Sequence, residues 1–364
     1  MMQHAARAFR AIALACAGLG LATVAAAQTP EFHAGKTLTI VIGLDAGGTV
    51  DTFVRSFIGV LRKHTPGAPG IIVQNMPGAG GLLSTNWLME RAPRDGLTII
   101  YQPWDPLAQA LGNQGLRARY EQFEYVGGTS DTRLDYARVD TIPGGIRRPA
   151  DIIKADGILA IGALNNTDIS GLVAKLSMDV LGVKNKFITG YRGGNDIFLA
   201  VQRGEVHMHN TSIGSFRVRG GPMVRAGTVI GITYLAAMDR DGRYEPNPRI
   251  TEMPAFPALY KEIHGTWPRG PEWDALNWLV QQFGDVSFVG LAPPGTPPAA
   301  LAALRRGFEA AITDPEFVEQ SIRTNGLPYP FVAVERARAI FKALAEVSPA
   351  VLDTVRKSIG ETGK

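Results

Sequence analysis

Cysteine is nearly absent. The one cysteine in 364 residues is Cys16, so beyond the first residues disulfides, cysteine metal sites and cysteine nucleophiles are excluded. Charge is sparse and balanced, at 19% of residues with 37 basic against 33 acidic, which leaves no basic face for nucleic acid. The spaced GxGxxG of a dinucleotide site is missing, "PGAGG" lacks the Lys-Ser/Thr of a P-loop, and no serine sits in a GxSxG elbow. Long apolar stretches are missing too, apart from residues 11–26. That run follows Arg7 and Arg10 and ends in Ala25-Ala26-Ala27, the pattern of a secretion signal with a small-residue cleavage site.

Residues 1–27 are therefore read as a signal peptide removed near Ala27. A retained anchor is the weaker reading, because the run is Ala-rich and no stop-transfer flank follows. Cys16 lies too early in the run to be a lipoprotein cysteine. Cleavage removes two basic residues, leaving 35 against 33 acidic ones. An exported, nearly neutral, cysteine-free chain points to the periplasm, and its length to two domains.

Apolar positions then alternate between strand and helix signatures. Residues 38–44 are a β-branched strand, two glycines follow, and Val50, Phe53, Val54, Phe57, Ile58 and Leu61 recur at helical spacing. Further strands are read at 71–74 and 97–101. A second set of strand-loop-helix units starts at 157–161 with the loop 162–168. It continues through strands at 186–189, 206–209 and 229–234, with a helix at 197–202 between the first two. This alternation predicts parallel sheets covered by helices. Residues 238–273 shift to Pro, Gly, Arg and Trp as connecting structure, and helices at 299–312 and 333–344 follow.

A Gly-rich loop between strand and helix leaves backbone N–H groups unpaired at the positive end of a helix dipole, where an anion fits. Gly47 and Gly48 would let a ligand approach the backbone, although a Gly-Gly pair can equally be only a turn. The loop 163–167 occupies the corresponding place in the other unit, so the two could face each other across a cleft and hold a small carboxylate. His207 and His209 could share one side of a strand, but no further ligand set accompanies them, so no metal is expected. "WDALNWLVQQF", residues 273–283, could wall a ligand, but its spacing fits core better.

The signal peptide, "AGGTVDTFVR", "VQNMPGAGGLLSTNWLMERAPRDG" and "LAPPGTP" together resemble the substrate-binding proteins of the tripartite tricarboxylate transporters, the Bug family. The resemblance spans nearly the whole mature chain and is strongest over residues 40–100. It implies an α/β, two-lobed periplasmic-binding-protein-like fold, each lobe a mainly parallel sheet flanked by helices, with the ligand cleft between lobes. Lobe 1 would hold residues 36–132 and 250–364 and lobe 2 residues 133–249, with crossings near 128–133 and 234–242. The implied function is capture of a small organic acid or related compound and its delivery to one large and one small integral membrane subunit. No catalysis, no cofactor and a monomer are implied.

Carried over position by position, the resemblance puts ligand contacts on Leu44, Asp45, Ala46, Gly47, Gly48, Thr49 and Asp51 in the first loop. The second loop supplies Ala163, Leu164, Asn165, Asn166 and Thr167, and "GYRGG" supplies Tyr191 and Arg192. Three features depart from the pattern. Asp45 stands where alanine or proline is usual and would repel a carboxylate, Arg192 stands where lysine is usual, and "HMHNTS", residues 207–212, replaces an acidic and aromatic segment. Trp104, after the third strand, and Asn210 and Thr211 join the candidate site. Two other readings stay open: a secreted hydrolase using cleft carboxylates Asp45, Asp51 and Asp168, and a ligand-presenting partner of a membrane sensor kinase.

Overall fold

The computed structural model describes residues 31–239, 241–284 and 286–360; the expected signal peptide and Cys16 lie outside them. From Phe32 onward the chain forms one compact unit. It opens with β1 (Thr37–Ile42), α1 (Thr49–His64), β2 (Gly70–Asn75), α2 (Leu82–Glu90), β3 (Thr98–Pro103) and β4 (Glu124–Thr129). The apolar positions read as one helical face, Val50, Phe53, Val54, Phe57 and Leu61, are buried on α1.

A second group of elements follows: β5 (Arg133–Arg138), β6 (Leu159–Gly162), α3 (Ile169–Val180), β7 (Asn185–Ile188), α4 (Gly194–Arg203), β8 (Met208–Ser212) and β9 (Val229–Tyr234). Then come α5 (Phe256–His264), α6 (Pro271–Phe283), β10 (Phe288–Ala292), α7 (Pro298–Ile312), α8 (Pro315–Asn325), β11 (Phe331–Val332), α9 (Val334–Ala345) and α10 (Pro349–Ser358).

The strands form two sheets, in the orders β11-β4-β10-β3-β1-β2 and β7-β6-β8-β5-β9. Together with the flanking helices they make the two-lobed α/β fold. The sheets are mixed, however, where mainly parallel ones were expected. In the first, β1 is parallel to β2 and β3, while β10 runs antiparallel to both β3 and β4. In the second, β6 is parallel to β7 and β8, while β5 runs antiparallel to β8 and β9. The cause is connectivity. β4 passes into β5 through three residues, so β5 enters the second sheet at the end facing the first, and β10 re-enters the first sheet the same way. Alternating periodicity reports strands but carries no record of where the chain changes sheets.

The elements after β9 do not return at once. α5 packs on β9 and on the short helix Pro149–Lys154, and α6 packs along α3. Trp273 of α6 stacks on Phe256 of α5 at 5.9 Å, and Trp273, Leu276, Leu279 and Phe283 are buried, so this stretch is core. Where the chain re-enters the first sheet, Ser287 N donates to Thr129 O at 2.9 Å, beside the β4–β5 crossing.

The first lobe's interior is aromatic. Phe57 lies 5.3 Å from Phe53, 5.1 Å from Phe308 and 5.1 Å from Phe317, joining α1 to α7 and α8. Because Phe57 is 2% exposed, its removal leaves a cavity that three helices cannot easily close. Phe57→Ala should cost about 3–5 kcal/mol. Urea unfolding with an unchanged slope would measure it; a loss below about 1 kcal/mol would show that this cluster does not anchor the lobe.

Candidate functional site

The parallel strands of both sheets end toward one cavity of about 100 Å³ between the lobes. After β1 the chain turns through residues 43–48, with Gly47 in the left-handed region at φ +74°. Asp51 fixes this turn from within α1: it accepts hydrogen bonds from Gly47 N (2.8 Å), Arg55 Nε (2.9 Å) and Asn75 Nδ2 (3.0 Å). Burial works against its charge, but the donors Arg55, Gly47 and Asn75 outweigh burial and hold its pKa below the ordinary value.

Three helix N-termini meet at the cavity. Those of α1 and α4 begin at Gly48 and Gly193, neither of which offers a side-chain cap, so their first-turn N–H groups stay available beside the cavity lining. The end of α3 is different. Asp168 caps it, accepting from Ser170 N at 3.2 Å and Leu164 N at 3.3 Å. The second open end therefore belongs to the loop before α4.

The floor is polar. Arg133, the first residue of β5, donates Nε–H to Asn210 Oδ1 at 2.7 Å, and Asn210 Nδ2 donates to Asp135 Oδ1 at 2.7 Å. His209, 5% exposed, lies against the Tyr136 and Phe198 rings at 5.8 and 5.4 Å. Burial first, and then the Arg133 charge, lower its pKa to about 3, so the ring is neutral. His207 is engaged elsewhere, with Nδ1 accepting from Ala160 N at 2.9 Å. Among the described residues no group of three or more His, Cys, Asp or Glu could hold a metal.

The lips of the cleft touch. Asn195 Nδ2 and Arg219 Nη2 of the second lobe both donate to Gly47 O at 2.9 Å. Asn165 Nδ2 donates to Ala79 O at 3.1 Å, and Thr167 Oγ1 donates to Asp105 Oδ2 at 3.2 Å. Arg192 Nη2 lies 3.0 Å from Asp45 Oδ1. The two sequence departures, Asp45 and Arg192, are thus partners across the cleft. The repulsion expected of Asp45 toward a ligand carboxylate is answered by a charge from the other lobe.

Of the residues named from the sequence, Leu44, Asp45, Gly48, Thr49, Trp104, Leu164, Asn165, Asn210 and Thr211 line the cavity. The others do not. Ala46 and Gly47 form the exposed rim, Asp51 and Thr167 brace loops, Ala163 is buried, Asn166 and Arg192 are exposed, and Tyr191 is half-buried. Arg133, Asp168, Ser170, Gly193, Gly194 and His209 line it and were not named as ligand contacts. The Gly-Gly of "GYRGG" ahead of a helix was the available signal for Gly193 and Gly194. Nothing local marks Arg133.

No family model matches the chain. A UPF0065 protein of Bordetella pertussis is 25% identical over 328 residues, 85% of this chain and 87% of that protein. The fold matches the periplasmic binding protein BugD with a TM-score of 0.64 and 20% identity, covering 91% of this chain and 99% of BugD. It also matches MatC of Rhodopseudomonas palustris, solved with bound malate, with a TM-score of 0.63 and 22% identity over 88% of this chain and 99% of MatC. The resemblance to the Bug substrate-binding proteins read from the motifs stands.

Asp105 makes a pH test of the site. It is 7% exposed and caps the short helix Pro106–Ala110 through Ala108 N at 3.0 Å. Burial, reinforced by Asp168, raises its pKa to about 8 against the hydrogen bonds from Ala108 and Thr167. An unfolded aspartate titrates near 4, so the folded protein keeps a proton that the unfolded chain has lost, and stability falls as pH rises toward 8. Asp131 and Asp135, raised to about 6, act with the same sign at lower pH, where His209 opposes them. Between about pH 6.5 and 8 stability should fall by up to about 1.4 kcal/mol per unit through Asp105. Asp105→Asn should flatten that slope in denaturant titrations; an equal slope in both proteins would disprove the assignment.

Proposed function

We propose that this chain is a periplasmic solute-binding protein that closes its two lobes on a small carboxylate and presents it, without chemical change, to a tripartite membrane carrier with one large and one small integral subunit. The observation that carries the reading is the closed cleft: two uncapped helix N-termini, one from each lobe, meet at a cavity whose lips bind each other through Gly47 O and Ala79 O. The malate in MatC, a protein of the same fold, supports a carboxylate as ligand. Export rests on the N-terminal signal pattern, and no described helix is long and apolar enough to cross a membrane.

In this reading lobe 1 holds residues 36–132 and the two strands and three helices from β10 to α9. Lobe 2 holds 133–249 together with α5 and α6, since those helices pack on β9 and α3. The two crossings lie side by side at β4–β5 and before β10. A monomer is the expected state, as the family resemblance implies.

The hydrolase reading loses its candidates. Asp45 pairs with Arg192, Asp51 is filled by three donors, and Asp168 caps α3. Each of these carboxylates is committed to a structural partner, and Asp105, the buried carboxyl that Asp168 faces, caps the helix Pro106–Ala110. Delivery to a sensor would use the same closed form, and binding alone does not separate it from transport.

Contacts to both lobes exist only when the cleft is shut, so ligand favours closure by its differential affinity for that form. Thermal unfolding of purified mature protein against mono-, di- and tricarboxylates tests the reading. A ligand at about one hundred times its Kd should add about 2.7 kcal/mol; protein freed of copurified ligand that responds to none would refute it. Closure has its own test at Gly80. A Cβ there would lie 2.6 Å from Asn165 Nδ2 and 3.0 Å from Leu164 Cβ, both across the cleft. Gly80→Ala should act as a wedge, weakening ligand binding roughly tenfold through the lost lip contact. Unchanged affinity by calorimetry would mean that the lips do not need to meet.

A further inference from the structure

The cleft-lining titratable groups are Asp45, Asp105, Asp168, His209 and Arg133, so one permanent cation faces three carboxyls. Asp45 is answered by Arg192, and Asp168 is occupied with two backbone N–H groups. Arg133 is held from behind: its Nε and Nη2 bond Asn210 side chain and backbone at 2.7 and 3.4 Å. Its Nη1 has no hydrogen-bond partner among the described residues, while the residue lines the cavity. Asn210 is fixed in turn by Asp135, and the β5–β8 register sets Arg133 opposite Ser212. A guanidinium oriented this way and open at one nitrogen is a carboxylate receptor. The neutral ring of His209 beside it supplies a further hydrogen-bonding group without adding charge.

We propose that Arg133 is the specificity-determining anchor of the cleft, taking the carboxylate of a short monocarboxylic acid that carries a hydroxyl or amino group, and that the site discriminates against dicarboxylates. The inference rests on the solute-binding reading above. Asp168, Asp131 and Asp135 already face the Arg133 charge, so it can balance one ligand carboxylate at most. A second would have only the partial charges of the α1 and α4 helix ends to set against Asp168 and Asp45, with no free cationic side chain among the described lining residues, and like charges close together are disfavoured. A hydroxyl or amino group there instead donates to these oxygens. The cavity of about 100 Å³ suits a ligand of this size; an apolar cavity of about 150 Å³ holds benzene, with six heavy atoms.

The experiment is calorimetric titration of refolded, ligand-free protein with lactate, glycolate, alanine, lactamide, malate and succinate. Lactate, glycolate or alanine should bind, malate and succinate at least about tenfold more weakly, and lactamide not measurably. Arg133→Gln should weaken the bound monocarboxylate about thirtyfold or more, with Arg133→Lys recovering part of the loss. Thermal melting without ligand identifies a variant that has failed to fold, and in that case the lactate-lactamide comparison on the unaltered protein decides. Malate or succinate binding more tightly than lactate overturns the ligand class but leaves the solute-binding reading intact. Equal affinity in a folded Arg133→Gln overturns the anchor. Binding of none of the six compounds overturns the proposed ligand class, while the wider carboxylate panel decides the solute-binding reading separately.

Discussion

The arrangement depends on the chain changing sheets at two adjacent places. β4 runs into β5 over three residues, β10 returns beside them, and Ser287 N to Thr129 O at 2.9 Å ties the two crossings together. Adjacent crossings decide what faces the cleft. β5 starts there and places Arg133 in its floor. β10 starts there and brings Phe288. The parallel strands end there and deliver Trp104, Gly162 and Asn210 through Ser212. The same connectivity that makes the sheets mixed also supplies the cleft floor.

Closure is shared among weak contacts. The Asp45–Arg192 pair is worth no more than about 1 kcal/mol, because the Arg192 side chain is 68% exposed. The hydrogen bonds to Gly47 O and Ala79 O add a similar amount each at most. They are not alone: an apolar cluster contains buried residues of both sheets' layers, and Leu164 packs against the first lobe's core.

Much of this was legible in the sequence because the signals were local. The β-branched run, the Gly-Gly turn and the helical spacing from Val50 to Leu61 gave β1, the first loop and α1, and the loop 162–168 was recognised before α3. Asp45 and Arg192 were each noticed as departures, but only folding brings residues so far apart in sequence to 3.0 Å. Arg133 was not distinguishable from other arginines. Its role depends on the register that sets it opposite Ser212 and beside Asn210, which no pattern of residue types encodes. The packing of α5 on β9 and of α6 on α3 was hidden for the same reason, since an amphipathic face does not name the surface it will cover.

The helix ends show how one capping residue redistributes a site. A Gly-rich loop at a helix N-terminus looks like an anion site wherever it occurs, and the loops before α1, α3 and α4 all qualify by that rule. Asp168 supplies α3 with its own anion and removes it from the set, while Gly48 and Gly193 leave α1 and α4 open. Backbone groups from opposite lobes then converge above a floor with a single guanidinium. A ligand carboxylate paired with Arg133 would present its remaining polar groups to those open ends and to Asp168. Selectivity in such a cleft comes less from the number of donors than from the few acceptors left uncompensated around them.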